Sequence, residues 1–213
     1  MMNILSLFSI GFILGLTGAM APGPLLTVTI GESTRRGGIT GPLIVLGHGI
    51  LEFSLVLLIV LGVGKLLKNN LIFTVIAILG GLGLIYMGYS TIKGIKHYDM
   101  ETGHATEKPG MHPVLSGIVI SLSNPYWFIW WITIGMGYIL FAQKMGIWGI
   151  LAFFAGHILS DLVWYSFVSY GIQIGGRFFN LRIIKAILFI CSIFLMLFGL
   201  FFIFKGIEFL RIP

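Results

Sequence analysis

Residues 15–24 read Gly15-Leu16-Thr17-Gly18-Ala19-Met20-Ala21-Pro22-Gly23-Pro24, and residues 121–127 read Ser121-Leu122-Ser123-Asn124-Pro125-Tyr126-Trp127. Each lies inside an uncharged run, about 4–30 in the first case and 114–142 in the second. At about 1.5 Å per residue such runs would extend roughly 40–45 Å as straight helices, against a bilayer core of about 30 Å. Proline removes a helical hydrogen-bond donor and clashes with the turn before it. Both runs are therefore expected to be broken helices.

The rest of the chain explains why a bilayer is the right yardstick. Its 213 residues are 57% hydrophobic and 9% charged, with a mean hydropathy of +1.04 and 30 glycines. Soluble domains run near about 45–50% apolar and about 25% charged, whereas small residues are frequent where helices meet in lipid. Stretches poor in charge fall at about 4–30, 41–64, 71–92, 114–142, 146–172 and 184–205. Six spans leave no room for a sizeable domain outside the membrane. The expected fold is an all-α polytopic membrane protein.

The net charge of +6 comes from 13 Lys+Arg against 7 Asp+Glu. The basic residues sit in short loops, where they set topology and meet anionic lipid headgroups. This reading excludes nucleic acid as a partner. Ala19-Met20-Ala21 mimics a leader cleavage box, but no Lys or Arg precedes it, so the segment is expected to remain as the first span. Cys191 stands alone, which excludes an internal disulfide, a CxxC pair and a Cys-based zinc site.

Matching landmarks point to an internal duplication. Gly47-His48 is followed by Glu52, and Gly156-His157 by Asp161; Lys93-Gly94-Ile95 closes the third span and Lys205-Gly206-Ile207 the sixth. The offsets grow slowly, from 103 (Pro22 to Pro125) through 109 (His48 to His157) to 112 (Lys93 to Lys205). Residues 1–95 and 113–213 then form two three-helix repeats, with 96–112 as a hydrophilic linker. Three spans per half force the second half to enter the membrane inverted, the arrangement that places a transporter's site near the midplane at its interrupted helices. An N-out, C-out orientation puts eight basic residues in the inner loops and five in the outer ones, as the positive-inside rule prefers. His97, His104 and His112 in the linker read as part of a solvated connection, with metal delivery as the alternative.

Of the seven acidic residues, Glu52 and Asp161 are the two expected within spans. Each follows a histidine by four residues and so shares its helix face. An ionisable group at that depth costs about 2.5–3.5 kcal/mol on insertion scales and normally faces an internal cavity. Asn124 suits a helix cap and Pro125 a first helical position. The amides of Tyr126 and Trp127, and those of Leu25 and Leu26 after Pro22-Gly23-Pro24, are then expected to be free to hold an anion. Free amides beside carboxylates suit a zwitterion. Substrate binding is thus expected at Pro22, Gly23, Pro24, Leu25, Leu26, Asn124, Pro125 and Tyr126. Coupling to a proton or ion falls to His48, Glu52, His157 and Asp161. Those four residues would alternatively suit a divalent metal ion. No HExxH or GxSxG appears, so neither an enzyme nor a cofactor is expected. Gly11/Gly15, Gly37/Gly41 and Gly171/Gly175 have the small-xxx-small spacing of helix contacts, either within the chain or between copies in a homo-oligomer.

The stretch from Gly15 to Pro24, the acidic second span and Ser123-Asn124-Pro125 together resemble the LysE/RhtB amino-acid exporters. That resemblance spans essentially the whole chain. It implies a multi-pass protein of the cell membrane that exports amino acids from the cytoplasm, driven by a proton or ion gradient. Two departures bear on the substrate: Tyr126-Trp127 stand where the family often has a basic residue, and the His48/His157 pair is not a feature of its exporters of basic amino acids.

Overall fold

The computed structural model describes residues 3–21, 23–62, 70–95, 111–175 and 181–210, all helical apart from short turns and with no strand among them. The first half holds α1 (Ile4–Ala19), α2 (Pro24–Arg36), α3 (Thr40–Val60) and α4 (Asn70–Ile95). The second holds α5 (Pro113–Leu122), α6 (Pro125–Trp130), a π-helical turn (Trp131–Gly135), α7 (Met136–Ala142), a 3-10 turn (Gln143–Met145), α8 (Gly146–Gly175) and α9 (Leu181–Leu210).

Local chemistry explains the boundaries. Asn3 caps α1 by accepting from the Ser6 amide at 2.8 Å. Pro24 opens α2, its φ already suited to a first helical residue. Between them the axes turn by 74°, so the break falls where the Pro-Gly-Pro motif put it, although Pro22 itself lies outside the described residues. Helix α2 ends at Gly37, whose φ of 80° is one that side chains with a Cβ rarely adopt. This end is six residues beyond the expected limit of the first span. Glu32 is consequently helical, pairing one turn on with Arg36 at 2.8 Å.

The second long run breaks after Leu122. Beyond α7 the chain reverses at Gly146, with φ 70°. Tyr138 and Phe153 stack with ring centroids 5.4 Å apart. In a continuous helix, fifteen residues would hold them roughly 22 Å apart. Among the described residues, four helical stretches are long and apolar enough to cross a membrane, or five when α1 and α2 count as one. Both runs expected to be broken are broken, and by this measure the count does not reach the expected six. The expected fourth span is divided among α5, α6 and α7, and α5 alone, at 10 residues, is too short to cross.

The halves are interlaced. Helix α1 lies along α8, α5 lies along α3, and α4 lies along α9. Glycines let the backbones touch: a Cβ on Gly11 would strike the Phe153 carbonyl and one on Gly156 the Phe8 carbonyl. On the other side, Gly47 faces the Val114 carbonyl and Gly117 the Ile44 carbonyl in the same way. Lipid tails are as apolar as leucine, so close packing, not exclusion of apolar surface, holds such helices together. Gly11 and Gly15 face α8 within the chain and Gly41 faces Tyr165, whereas Gly171 has open space around it. Large apolar side chains such as Leu5, Leu79, Tyr86 and Phe167 point outward, while His48, Glu52, His157 and Asp161 are buried. That inside-out pattern suits a lipid surround.

Candidate functional site

Helix α3 brings His48 and Glu52 to the centre and α8 brings His157 and Asp161. All four are buried, Glu52 the deepest at 1% exposed. Their nearest donor atoms lie within 4.8 Å of one another. His48 Nε2 stands 3.1 Å from Glu52 Oε1 and 3.6 Å from Asp161 Oδ2. His157 Nε2 stands 3.0 Å from Glu52 Oε2 and 3.8 Å from Asp161 Oδ2. The two His–carboxylate pairs read from the sequence thus merge into one group.

Charge at this depth needs partners. Glu52 Oε1 accepts from the indole N–H of Trp127 at 2.9 Å and of Trp131 at 2.7 Å. Both indoles project from the segment just after the second helix break, one turn apart. The intervening ring, Trp130, stacks on His157 with centroids 4.5 Å apart. His48 Nδ1 shares a hydrogen bond with Ser121 Oγ at 2.7 Å. With Nε2–H directed at Glu52, a neutral ring accepts there from the hydroxyl.

Several buried atoms have no hydrogen bond in the described structure: Glu52 Oε2, Asp161 Oδ2, both ring nitrogens of His157, and Trp130 Nε1. The Glu52–His157 approach is thus a charge contact lying off the hydrogen-bond direction. Native interiors leave few such groups, and each one calls for an explanation. Here they surround a cavity of about 60 Å³ lined by Gly18, Leu25, Glu52, Trp130, His157 and Asp161. A second cavity of about 60 Å³ adjoins it through Gly18, Leu25, Asn124, Tyr126 and Tyr165, and is closed by apolar side chains including Leu84, Leu195 and Phe198. Each has room for a few water molecules and is far smaller than the roughly 300 Å³ of a ligand-filled pocket.

The helix breaks meet at these cavities: Gly23, Pro24 and Leu25 from one side, Asn124 and Tyr126 from the other. Pro125 is buried and opens α6; Leu26 follows Leu25 in the first turn of α2. Asn124 is the cap that its sequence implies, but one expectation fails. Its side chain accepts from the Tyr126 amide at 3.1 Å and its carbonyl from the Trp127 amide at 3.1 Å. Those two amides are occupied, because a good cap satisfies the donors that a bare helix end would leave open. The Leu25 and Leu26 amides form no hydrogen bond among the described residues. Gly23 caps with no side chain, which explains the difference. His112 caps α5 by accepting from the Val114 amide at 3.4 Å, while His97 and His104 lie outside the described residues.

Sequence reasoning missed the indoles. Trp127 was expected to offer only its backbone amide, no role was expected of Trp130 or Trp131, and only the donor-only N–H groups of these rings hinted at buried acceptors. Ser121 and Tyr165 were missed for a similar reason, since a lone hydroxyl carries no pattern.

A family model described as LysE type translocator matches residues 16–206. The Bacillus subtilis (strain 168) protein named "Putative amino acid efflux protein YcgF" is 24% identical over 207 residues, which cover 96% of this chain and 98% of that protein. No solved structure matches the chain at a significant level.

Proposed function

This chain belongs to the LysE type translocator family, and on that premise we propose that it exports amino acids or related small zwitterionic solutes across the cell membrane, coupled to a proton or ion gradient. The observation that carries the reading is the cavity at the meeting of two helix breaks, where Glu52 Oε2 and Asp161 Oδ2 lack hydrogen bonds. Those oxygens suit an ammonium group. The open amides of Leu25 and Leu26 suit a carboxylate at the start of α2. Gly23, Pro24, Asn124, Pro125 and Tyr126 shape the approach to them, and Pro22, outside the described residues, is assigned to the same stretch by sequence alone. His48 and His157 join the carboxylates in carrying the coupling ion. In its closed form the cavity is too small for substrate, so transport requires the broken helices to move apart.

The same proposal takes residues 1–95 and 113–213 as inverted three-helix repeats, giving six spans with both termini outside and the 96–112 linker inside. It is supported by the crossed pairing of α1 with α8 and α5 with α3, and by the reversal at Gly146. A divalent cation is the second reading, favoured by four donor residues whose ligand atoms lie within 4.8 Å of one another.

Flux into proteoliposomes separates the two. Amino-acid flux should survive chelation of divalent ions and should weaken, without ending, when both His48 and His157 are replaced by Gln. A chelator-sensitive cation flux that vanishes in that double variant would replace the amino-acid reading with the metal one.

A further inference from the structure

Three buried indoles face the polar centre, and two of them spend their N–H groups on Glu52. The third does not. Trp130 is 6% exposed, yet its Nε1 has no hydrogen bond. Its ring is held in place, stacked on His157 at 4.5 Å and edge-on to Trp131 at 5.4 Å. The nitrogen points toward Gly18: a Cβ built there would lie 3.5 Å from Trp130 Nε1. The missing side chain of Gly18 therefore leaves open the space in front of the donor, and both residues line the cavity that contains Glu52 and Asp161.

An indole N–H only donates. It cannot ligate a cation, so a metal ion in this cavity would account for the carboxylate oxygens that lack hydrogen bonds and leave Trp130 unexplained. A zwitterion explains both. We infer that Trp130 is a substrate-binding residue, its indole N–H donating to the substrate's carboxylate while Glu52 Oε2 and Asp161 Oδ2 receive the ammonium group. The inference rests on the amino-acid reading above. It moves carboxylate recognition away from the Tyr126 and Trp127 amides, which Asn124 already occupies, to Trp130 and the open Leu25 and Leu26 amides.

Trp130→Phe tests it, since Phe keeps an aromatic ring against His157 and removes only the donor. Valine, and isobutylamine as the same side chain and ammonium without the carboxylate, should compete for valine export in proteoliposomes. Hydrogen bonds to charged groups contribute enough to predict an apparent valine affinity about ten- to hundred-fold weaker in the variant. Isobutylamine should compete within about twofold of its wild-type strength, because it never used the donor. Gly18→Ala provides a second variant, for its methyl would rest at an ordinary contact distance and fill the carboxylate's space. It too should weaken valine more than isobutylamine, and it carries the test should Trp130→Phe fail to fold. Trp164, whose Nε1 is also unpaired but which does not line the cavity, is the control, and Trp164→Phe should change neither. Equal weakening of valine and isobutylamine, or unchanged valine affinity, overturns the assignment of Trp130 while export of amino acids stands. A wild-type protein that moves no amino acid overturns both.

Discussion

Glu52 sits between two imidazoles with two indole N–H groups on one of its oxygens, while the other lies 3.0 Å from His157 Nε2 without a hydrogen bond. Replacing Glu52 by Gln keeps an acceptor for the indoles but removes the negative charge that an ammonium or coupling ion needs. Asp161→Asn removes the corresponding charge on α8. Each variant should lower the initial rate of export at least about tenfold, as loss of a charged partner implies, while eluting as a folded, monodisperse protein in detergent. Unchanged rates in both would make the group a polar clamp between helices. The pairing of His48 with Glu52 and of His157 with Asp161 was legible from spacing, because residues four apart share a helix face. That the pairs would merge, and that Trp127 and Trp131 would complete Glu52's coordination, was not. Those contacts join residues 75 and 79 positions apart in the chain, and no local pattern records which face of α6 meets α3. The opposite lesson comes from Asn124. Its capping role was visible, yet the amides it occupies were expected to be open, because a single side chain was not also credited with what its backbone carbonyl would accept.

At the scale of the elements, the glycines decide which helices can approach. Gly47 faces the Val114 carbonyl and Gly156 the Phe8 carbonyl, backbone groups that cannot swing aside as a flexible side chain can. Gly47→Val and Gly156→Val should each destabilise the packed protein by at least the roughly 1–3 kcal/mol of ordinary overpacking, read as a lower temperature for loss of the monodisperse peak on heating in detergent. Gly83, with nothing within 4 Å of a built Cβ, should accept alanine with little change. The helix breaks were legible because proline and a capping asparagine have fixed backbone consequences. The length of α2 was not: the sequence loses its apolar character near Gly31, but the helix continues because Glu32 pairs with Arg35 and Arg36 and Gly37 provides the stop. The π-helical turn at Trp131–Gly135 also lies in an unremarkable apolar run. Such turns occur frequently at functional sites, and this one begins at a residue that holds Glu52.

For the whole molecule, the proposed orientation makes opposite claims about two exposed positions. In a Cys191→Ser background, Ile39→Cys beside the α2–α3 turn should react with a membrane-impermeant thiol reagent only from the cytoplasmic side. Ile147→Cys, just after the reversal at Gly146, should react only from outside. Reversed accessibility would turn the protein over and place its termini in the cytoplasm. The proposed duplication rests on the order of its landmarks, and the crossed pairing was not legible at all, since sequence order says nothing of which half supplies a helix's neighbour. That pairing has a consequence for how the protein is made. When the ribosome has delivered only the first half, α1 has yet to meet α8, α3 has yet to meet α5, and α4 has yet to meet α9. Glu52 is then already in the bilayer, before His157, Asp161 and the three tryptophans exist. The first half must wait in the lipid with its glycine grooves unfilled and an ionisable pair unmatched. Assembly is thus committed late, as α8 emerges, and a chain interrupted before that point leaves the insertion machinery holding a product with no stable fold of its own.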